Sequence, residues 1–188
     1  MRRTAIALMT SCLLAVTACS TSGPPTPSQA PTEADVVAWT DKVCGAVDGT
    51  VKALSDEPAI DMTDEARLKA GLADWLGTRS AAAGRSIEDL KALEDGPHPK
   101  ARELVTAAED GLGQVKALLD DTSSKLDSSS DATGVVSAFT EMVTKSAEME
   151  NAGVRVQRKF DETGLADAAR QAGNCQSLRT SASSAPPS

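Results

Sequence analysis

Apolar residues return at helical spacing along most of this chain. Val36, Trp39, Val43, Val47, Val51 and Leu54 follow one another at steps of three and four, which places a single apolar stripe on one helix. Thr32 with Asp35 three positions on has the capping-box form, and Glu33 and Asp35 suit the positive end of a helix dipole, so the helix is predicted to start at Thr32. Pro58 closes it. A second stripe, Leu68, Leu72, Trp75, Leu76, Ala83, Ile87, Leu90 and Leu93, starts from Asp61 or Thr63 and runs to Glu94. Gly71, Gly77 and Gly84 each weaken that helix by up to ~1 kcal/mol relative to Ala.

Gly96-Pro97-His98-Pro99 is the sharpest break, with glycine past a helix end and prolines that cannot continue it. Leu104, Ala108, Leu112, Val115, Leu119, Thr122 and Leu126 then mark a third helix, followed by a Ser/Asp turn over 127–131. Val136, Phe139, Val143, Ala147, Val154 and Phe160 mark a fourth, which Gly164 ends. A short helical turn over 165–172 precedes Cys175. Four long amphipathic segments with short breaks predict an all-α fold, an antiparallel up-down bundle of four main helices plus the C-terminal turn. A coiled-coil dimer is the other arrangement such stripes permit. The stripes are wider than a strict two-position seam, which favours the bundle.

Composition adds to this picture. With two Trp, two Phe and no Tyr in 188 residues, the core must be built from Ala, Leu and Val, as on aliphatic helix faces. The formal net charge is −8; without Arg2 and Arg3 the 19 basic residues fall to 17 against 27 acids, a net charge near −10. That sign argues against a nucleic-acid partner, which needs a basic footprint, and against broad adhesion to anionic lipid heads.

Residues 1–18 carry Arg2 and Arg3, then an apolar run from Ala5 to Val16 that is shorter than the roughly 20 residues of a spanning helix. Leu14-Ala15-Val16-Thr17-Ala18-Cys19 ends the run with small residues before a cysteine. This stretch resembles the lipobox of bacterial lipoproteins, and the Ala-, Asp-, Gly- and Ser-rich chain resembles small lipoproteins of actinobacteria that carry no assigned function. The resemblance implies a signal peptide over 1–18 and acyl chains such as palmitate on Cys19. It thereby implies a domain anchored to the cell membrane and facing outside the cytoplasm. Two or more acyl chains make such an anchor lasting. Residues 19–31 continue as the lipidated cysteine and the linker STSGPPTPSQAP, which at ~3 Å per residue holds a domain roughly 35 Å from the bilayer. The folded domain is expected over 32–177, and the Ser/Thr/Pro-rich tail over 178–188 is expected to lack structure.

Four cysteines sort by position. Cys12 leaves with the leader and Cys19 takes the lipid, which leaves Cys44 and Cys175 to pair in an oxidising compartment. A chain folding back after Gly164 has about ten residues with which to reach Cys44, and the bridge would close a loop of about 130 residues. A reactive pair would need a C-x-x-C spacing or a nearby histidine or basic cluster, and neither is present.

Chemistry is otherwise sparse. The single histidine, His98, sits between prolines in a turn without a G-x-S-x-G elbow, so it reads as a loop residue rather than part of a catalytic triad. One His and a paired cysteine couple leave too few soft ligands for zinc. The adjacent acids Asp56-Glu57, Glu88-Asp89, Asp120-Asp121 and Asp161-Glu162 do not share a helix face, and none has the form of a calcium loop. Arg155, Arg158 and Lys159 share one face and form either a docking patch for an anionic partner or cations that complement the helix end. Trp39 and Trp75 are core anchors or, alternatively, walls of a lipophilic pocket. The expectation is a non-enzymatic, lipid-anchored binding module without cofactor or metal, whose partner is an envelope protein or a lipophilic ligand inside the bundle.

Overall fold

A computed structural model of the chain describes residues 30–57, 61 and 64–183; of 147–155 and 181–183 only the backbone is described. The leader, Cys19 and the linker up to residue 29 lie outside the described residues. The domain that follows is all-helical, with six helices and no strand among the described residues: α1 (Glu33–Ser55), α2 (Glu65–Lys91), α3 (Ala101–Ser128), α4 (Ala132–Thr163), α5 (Ala166–Gln171) and α6 (Gly173–Ser183).

The helix ends follow local chemistry. Thr32 closes the expected capping box: its hydroxyl accepts from Asp35 N at 3.2 Å, and Thr32 N donates back to the Asp35 carboxylate at 2.9 Å. The cap of α2 is Asp64, which accepts from Arg67 N at 2.9 Å, rather than Asp61 or Thr63. Asp131 caps α4 by accepting from Gly134 N at 2.9 Å. Gly164 ends α4 in the left-handed region (φ 76°). There Leu165 N donates to Phe160 O and Gly164 N to Asp161 O, a Schellman pair in which Leu165 and Phe160 are both buried.

Neighbours are set by side chains at both ends of each helix. Trp39 Nε1 donates to the Leu93 carbonyl at 2.9 Å and Thr50 Oγ1 to Ser86 Oγ at 2.8 Å, so α1 and α2 run in opposite senses. Lys69 reaches the carbonyls of Asp127 and Ser129 while Ser80 bonds Asp120, which gives α2 and α3 the same relation. Beyond α2, α1 takes α5 and α6 as its main neighbours.

The core lies in two clusters. One gathers Trp39, Val43, Leu90, Leu104, Val105, Leu112, Phe160 and Leu165 around α1, the end of α2, the first half of α3, the end of α4 and α5–α6. The other joins Leu72, Leu76, Leu119, Leu126, Val135 and Met142 from α2, α3 and α4 only, beyond the end of α1. The polar pairs Thr50–Ser86 and Ser80–Asp120 bridge the helices as well. The guanidinium of Arg79 is stacked over the Trp75 ring, 4.0 Å from its centroid, and both side chains donate to the Asp56 carbonyl at the end of α1. Burial holds the Arg79 pKa below its ordinary value.

Two expectations need correction. The fourth stripe holds in part: Phe160 is buried and Phe139 packs half-buried against the second cluster, whereas Val136 and Val143 are 59% and 51% exposed and Val135, Ala138 and Met142 are buried; the side chains of Ala147 and Val154 lie outside the described residues. Val136 and Val143, like Val135 and Met142, stand seven residues apart, so the period alone does not choose between the two pairs. The tail is also shorter than expected. Helix α6 occupies 173–183, well into the stretch predicted to lack structure, because its apolar side packs against α1.

Candidate functional site

The expected apolar stripe of α1 is covered unevenly. Trp39 and Val43 are buried, Val47 and Val51 are only half-buried, and Leu54 is 38% exposed. The uncovered half borders a cavity of about 360 Å³ that is partly open to solvent. Its walls are Val47, Val51 and Leu54 of α1, Ala108, Gly111, Leu112 and Val115 of α3, and Val156 and Phe160 of α4. The C-terminal helices complete it with Ala169, Cys175, Leu178 and Arg179. Apart from Arg179, the polar side chains at the wall are Thr50, whose hydroxyl already bonds Ser86, and the exposed Gln157.

The wall formed by α6 is held by a compact set of contacts. Cys44 and Cys175 are joined in a disulfide with Cα atoms 5.0 Å apart, across 131 positions of sequence. One residue earlier, Asn174 N donates to Asp41 Oδ1 at 2.8 Å, so the α1 carboxylate caps the start of α6. Asn174 Nδ2 donates to Asp41 Oδ2 at 3.0 Å and to the Asp41 carbonyl at 3.2 Å. Gly45 permits this approach, since a Cβ there would stand 2.9 Å from Asn174 Nδ2. Asp41, Gly45 and Asn174 carried no signal in the sequence, because an acid, a glycine and an amide in helices read as solvent-facing residues.

The other residues singled out in the sequence fall elsewhere. Trp39 is buried in the core and Trp75 packs beside the second cluster; neither lines the cavity. His98 stays in its turn, where Nδ1 accepts from Lys100 N at 3.2 Å. Lys159 pairs with Glu103 and Glu162, each at 2.9 Å, and Arg158 pairs with Glu162 at 3.4 Å; the side chain of Arg155 lies outside the described residues. The Lys159 hydrogen bond is the main reason that the Glu103 carboxyl sits below its ordinary pKa. Arg158 and Lys159 border a second hollow of about 290 Å³, which shares Gly111 and Val156 with the apolar cavity and also carries Asp110 and Glu162. Two cations facing two acids give that hollow no single sign of charge.

Asp120 is held by Lys116 and Ser80, and Asp121 by Lys125 and Lys145, so these acids are engaged in joining helices. Among the described residues no group of three or more His, Cys, Asp and Glu side chains is placed to hold a metal ion. No described helix is long and apolar enough to cross a membrane.

Fold and cavity together define a class: an all-helical domain with an apolar chamber in its side wall, closed by a disulfide-tethered C-terminal helix. No protein-family model, curated protein or solved structure matches the chain.

Proposed function

We propose that this protein is a lipid-anchored binding module of the bacterial cell envelope, facing outside the cytoplasm, that holds a lipophilic small molecule in the chamber between α1, α3, α4 and α6. The observation that carries this reading is the cavity of about 360 Å³ walled mainly by apolar side chains. Its size lies within the 300–1,000 Å³ of small-molecule sites. A filled core would have covered Val47, Val51 and Leu54; leaving them half exposed forgoes about 0.8 kcal/mol for each methylene that stays wet. A ligand chain laid along them recovers that burial.

In this reading the four long helices form an up-down-up-down bundle, with α6 inserted beside α1 at the side where the chamber opens. The leader resemblance supports the rest: a signal peptide over 1–18, acylation of Cys19 and a Pro/Ser stalk that displays the domain above the membrane. The reading takes the role as non-enzymatic; His98 bonds within its own turn and is not among the residues at the chamber. A second reading takes an envelope protein as the partner. The exposed pair Val136 and Val143, seven residues apart on α4, supports it.

The test uses the Cys19→Ala protein, which is expected to leave the membrane fraction; retention there removes the tether from the proposal. Titration of that protein with N-phenyl-1-naphthylamine should raise the fluorescence of the dye in a saturable way. Val47→Phe and Val115→Phe, which fill the chamber from two sides, should each abolish the rise while the circular dichroism stays helical. Unchanged uptake in both folded variants would refute the chamber as the ligand site.

A further inference from the structure

We infer that the occupant of the chamber is a single-chain carboxylate amphiphile, its aliphatic chain against Val47, Val51 and Val115 and its head group on the Arg179 guanidinium. This rests on the reading of the chamber as a ligand site and adds the chemical class of the ligand.

Among the described residues that line the chamber, Arg179 is the one charged side chain. It is half-buried and sits on α6 one turn beyond Cys175, whose bridge to Cys44 and whose neighbour Asn174 fix the helix on α1. Its position against the aliphatic wall is therefore set by the tether. A net charge of −8 repels anions from the domain at large, so a carboxylate can bind here only through a cation that the site itself supplies. Arginine suits that place better than lysine, because its guanidinium is weakly hydrated and offers a planar fork that matches a carboxylate. Five N–H donors allow it to accept a head group alongside the contacts it already makes.

The size of the chamber sets the chain. At ~30 Å³ for each water-sized group, 360 Å³ accommodates on the order of a dozen methylenes, and the opening to solvent lets a longer chain protrude. One guanidinium carries one unit of charge. A phosphate monoester near pH 8 carries close to two, and among the described residues no second cation lines the wall. A neutral alcohol of equal length gains the same apolar burial without the ionic contact. A quaternary ammonium meets Arg179 with like charge, although the whole-molecule charge attracts it.

Displacement of bound N-phenyl-1-naphthylamine at pH 8, below micellar concentrations, separates these ligands on the Cys19→Ala protein. Decanoate should displace the dye at a concentration about tenfold lower than 1-decanol, the equivalent of ~1.4 kcal/mol. Decyl phosphate and decyltrimethylammonium should be weaker than decanoate. Arg179→Gln in the same background should bring decanoate to the level of decanol and leave decanol unchanged, and Arg179→Lys should restore part of the gap. Equal displacement by decanoate and decanol, or stronger displacement by decyl phosphate, overturns the carboxylate assignment while the chamber reading stands. A gap that persists in a folded Arg179→Gln protein overturns the role of Arg179. Failure of the dye to bind at all overturns both.

Discussion

Trp39 shows how a single residue is held from several directions. Its indole is 6% exposed, its Nε1 donates to the Leu93 carbonyl just after α2, and Gly96 lies against its ring. A Cβ added at Gly96 would collide with the indole, so the glycine is required by packing rather than by its own backbone angles. Gly96→Ala is expected to destabilise the domain by about 1–3 kcal/mol, the usual cost of forcing a well-packed side chain aside. Chemical denaturation with intrinsic Trp fluorescence would measure it, and an unchanged midpoint would show that the turn yields instead. Arg79 makes a related point. A buried arginine is tolerated here because the Trp75 ring and the carbonyls of Trp75 and Asp56 receive its guanidinium.

At the scale of elements, the α3–α4 pair is bound by apolar contact and by a surface network of four charges. Lys125 bridges Asp121 and Glu141, and Lys145 bridges the same two acids. The hydrogen bonds from Lys125 and Lys145 hold the Asp121 and Glu141 carboxyls below their ordinary pKa, and those same bonds raise both lysines. A carboxyl whose folded pKa is depressed contributes stability that is present above its unfolded value, near 4, and lost as the pH falls through the folded value. The raised lysines contribute stability that is present at neutral pH and lost only above about pH 10. Thermal unfolding at low ionic strength should therefore be level from pH 7 to about pH 5 and fall below about pH 4. Lys145→Met should shallow that acid fall, and an identical pH profile in the variant would remove the network from the account.

At the scale of the whole molecule, the Cys44–Cys175 bridge joins the first helix to the last across 131 positions. It fixes α6 where α6 serves as a wall of the chamber. Cys44→Ala with Cys175→Ala should cost about 2–5 kcal/mol of stability, in the range for a native bridge that closes a long loop. The double variant should also bind N-phenyl-1-naphthylamine more weakly than the parent, because the Asp41–Asn174 contacts alone must then retain α6. A lowered melting temperature with dye binding unchanged would show that the bridge stabilises the fold without shaping the chamber.

Much of this architecture was legible in the chain. The Thr32 capping box, the break at Gly96-Pro97-His98-Pro99 and the Gly164 stop are local signals that operate on a few residues whatever surrounds them, and the Cys44–Cys175 pairing followed from the count of cysteines left after Cys12 and Cys19. The fourth helix was legible as a helix with Phe139 and Phe160 turned inward, but Val136 and Val143 were misplaced, since Val135 and Met142 one residue earlier recur at the same spacing. The helix at 173–183 was hidden because eleven mostly polar residues have little reason to be helical alone, and only Asp41, the disulfide and the α1 surface supply one. The chamber was hidden for the same reason. Its aliphatic walls, Val47, Val51, Leu112 and Val115, carry the pattern of ordinary core residues, because a stripe states which face seeks cover and not whether cover arrives. The assembly of α1, α3, α4 and α6 leaves a gap along that stripe, and it sets Arg179, a residue of an apparent tail, against it.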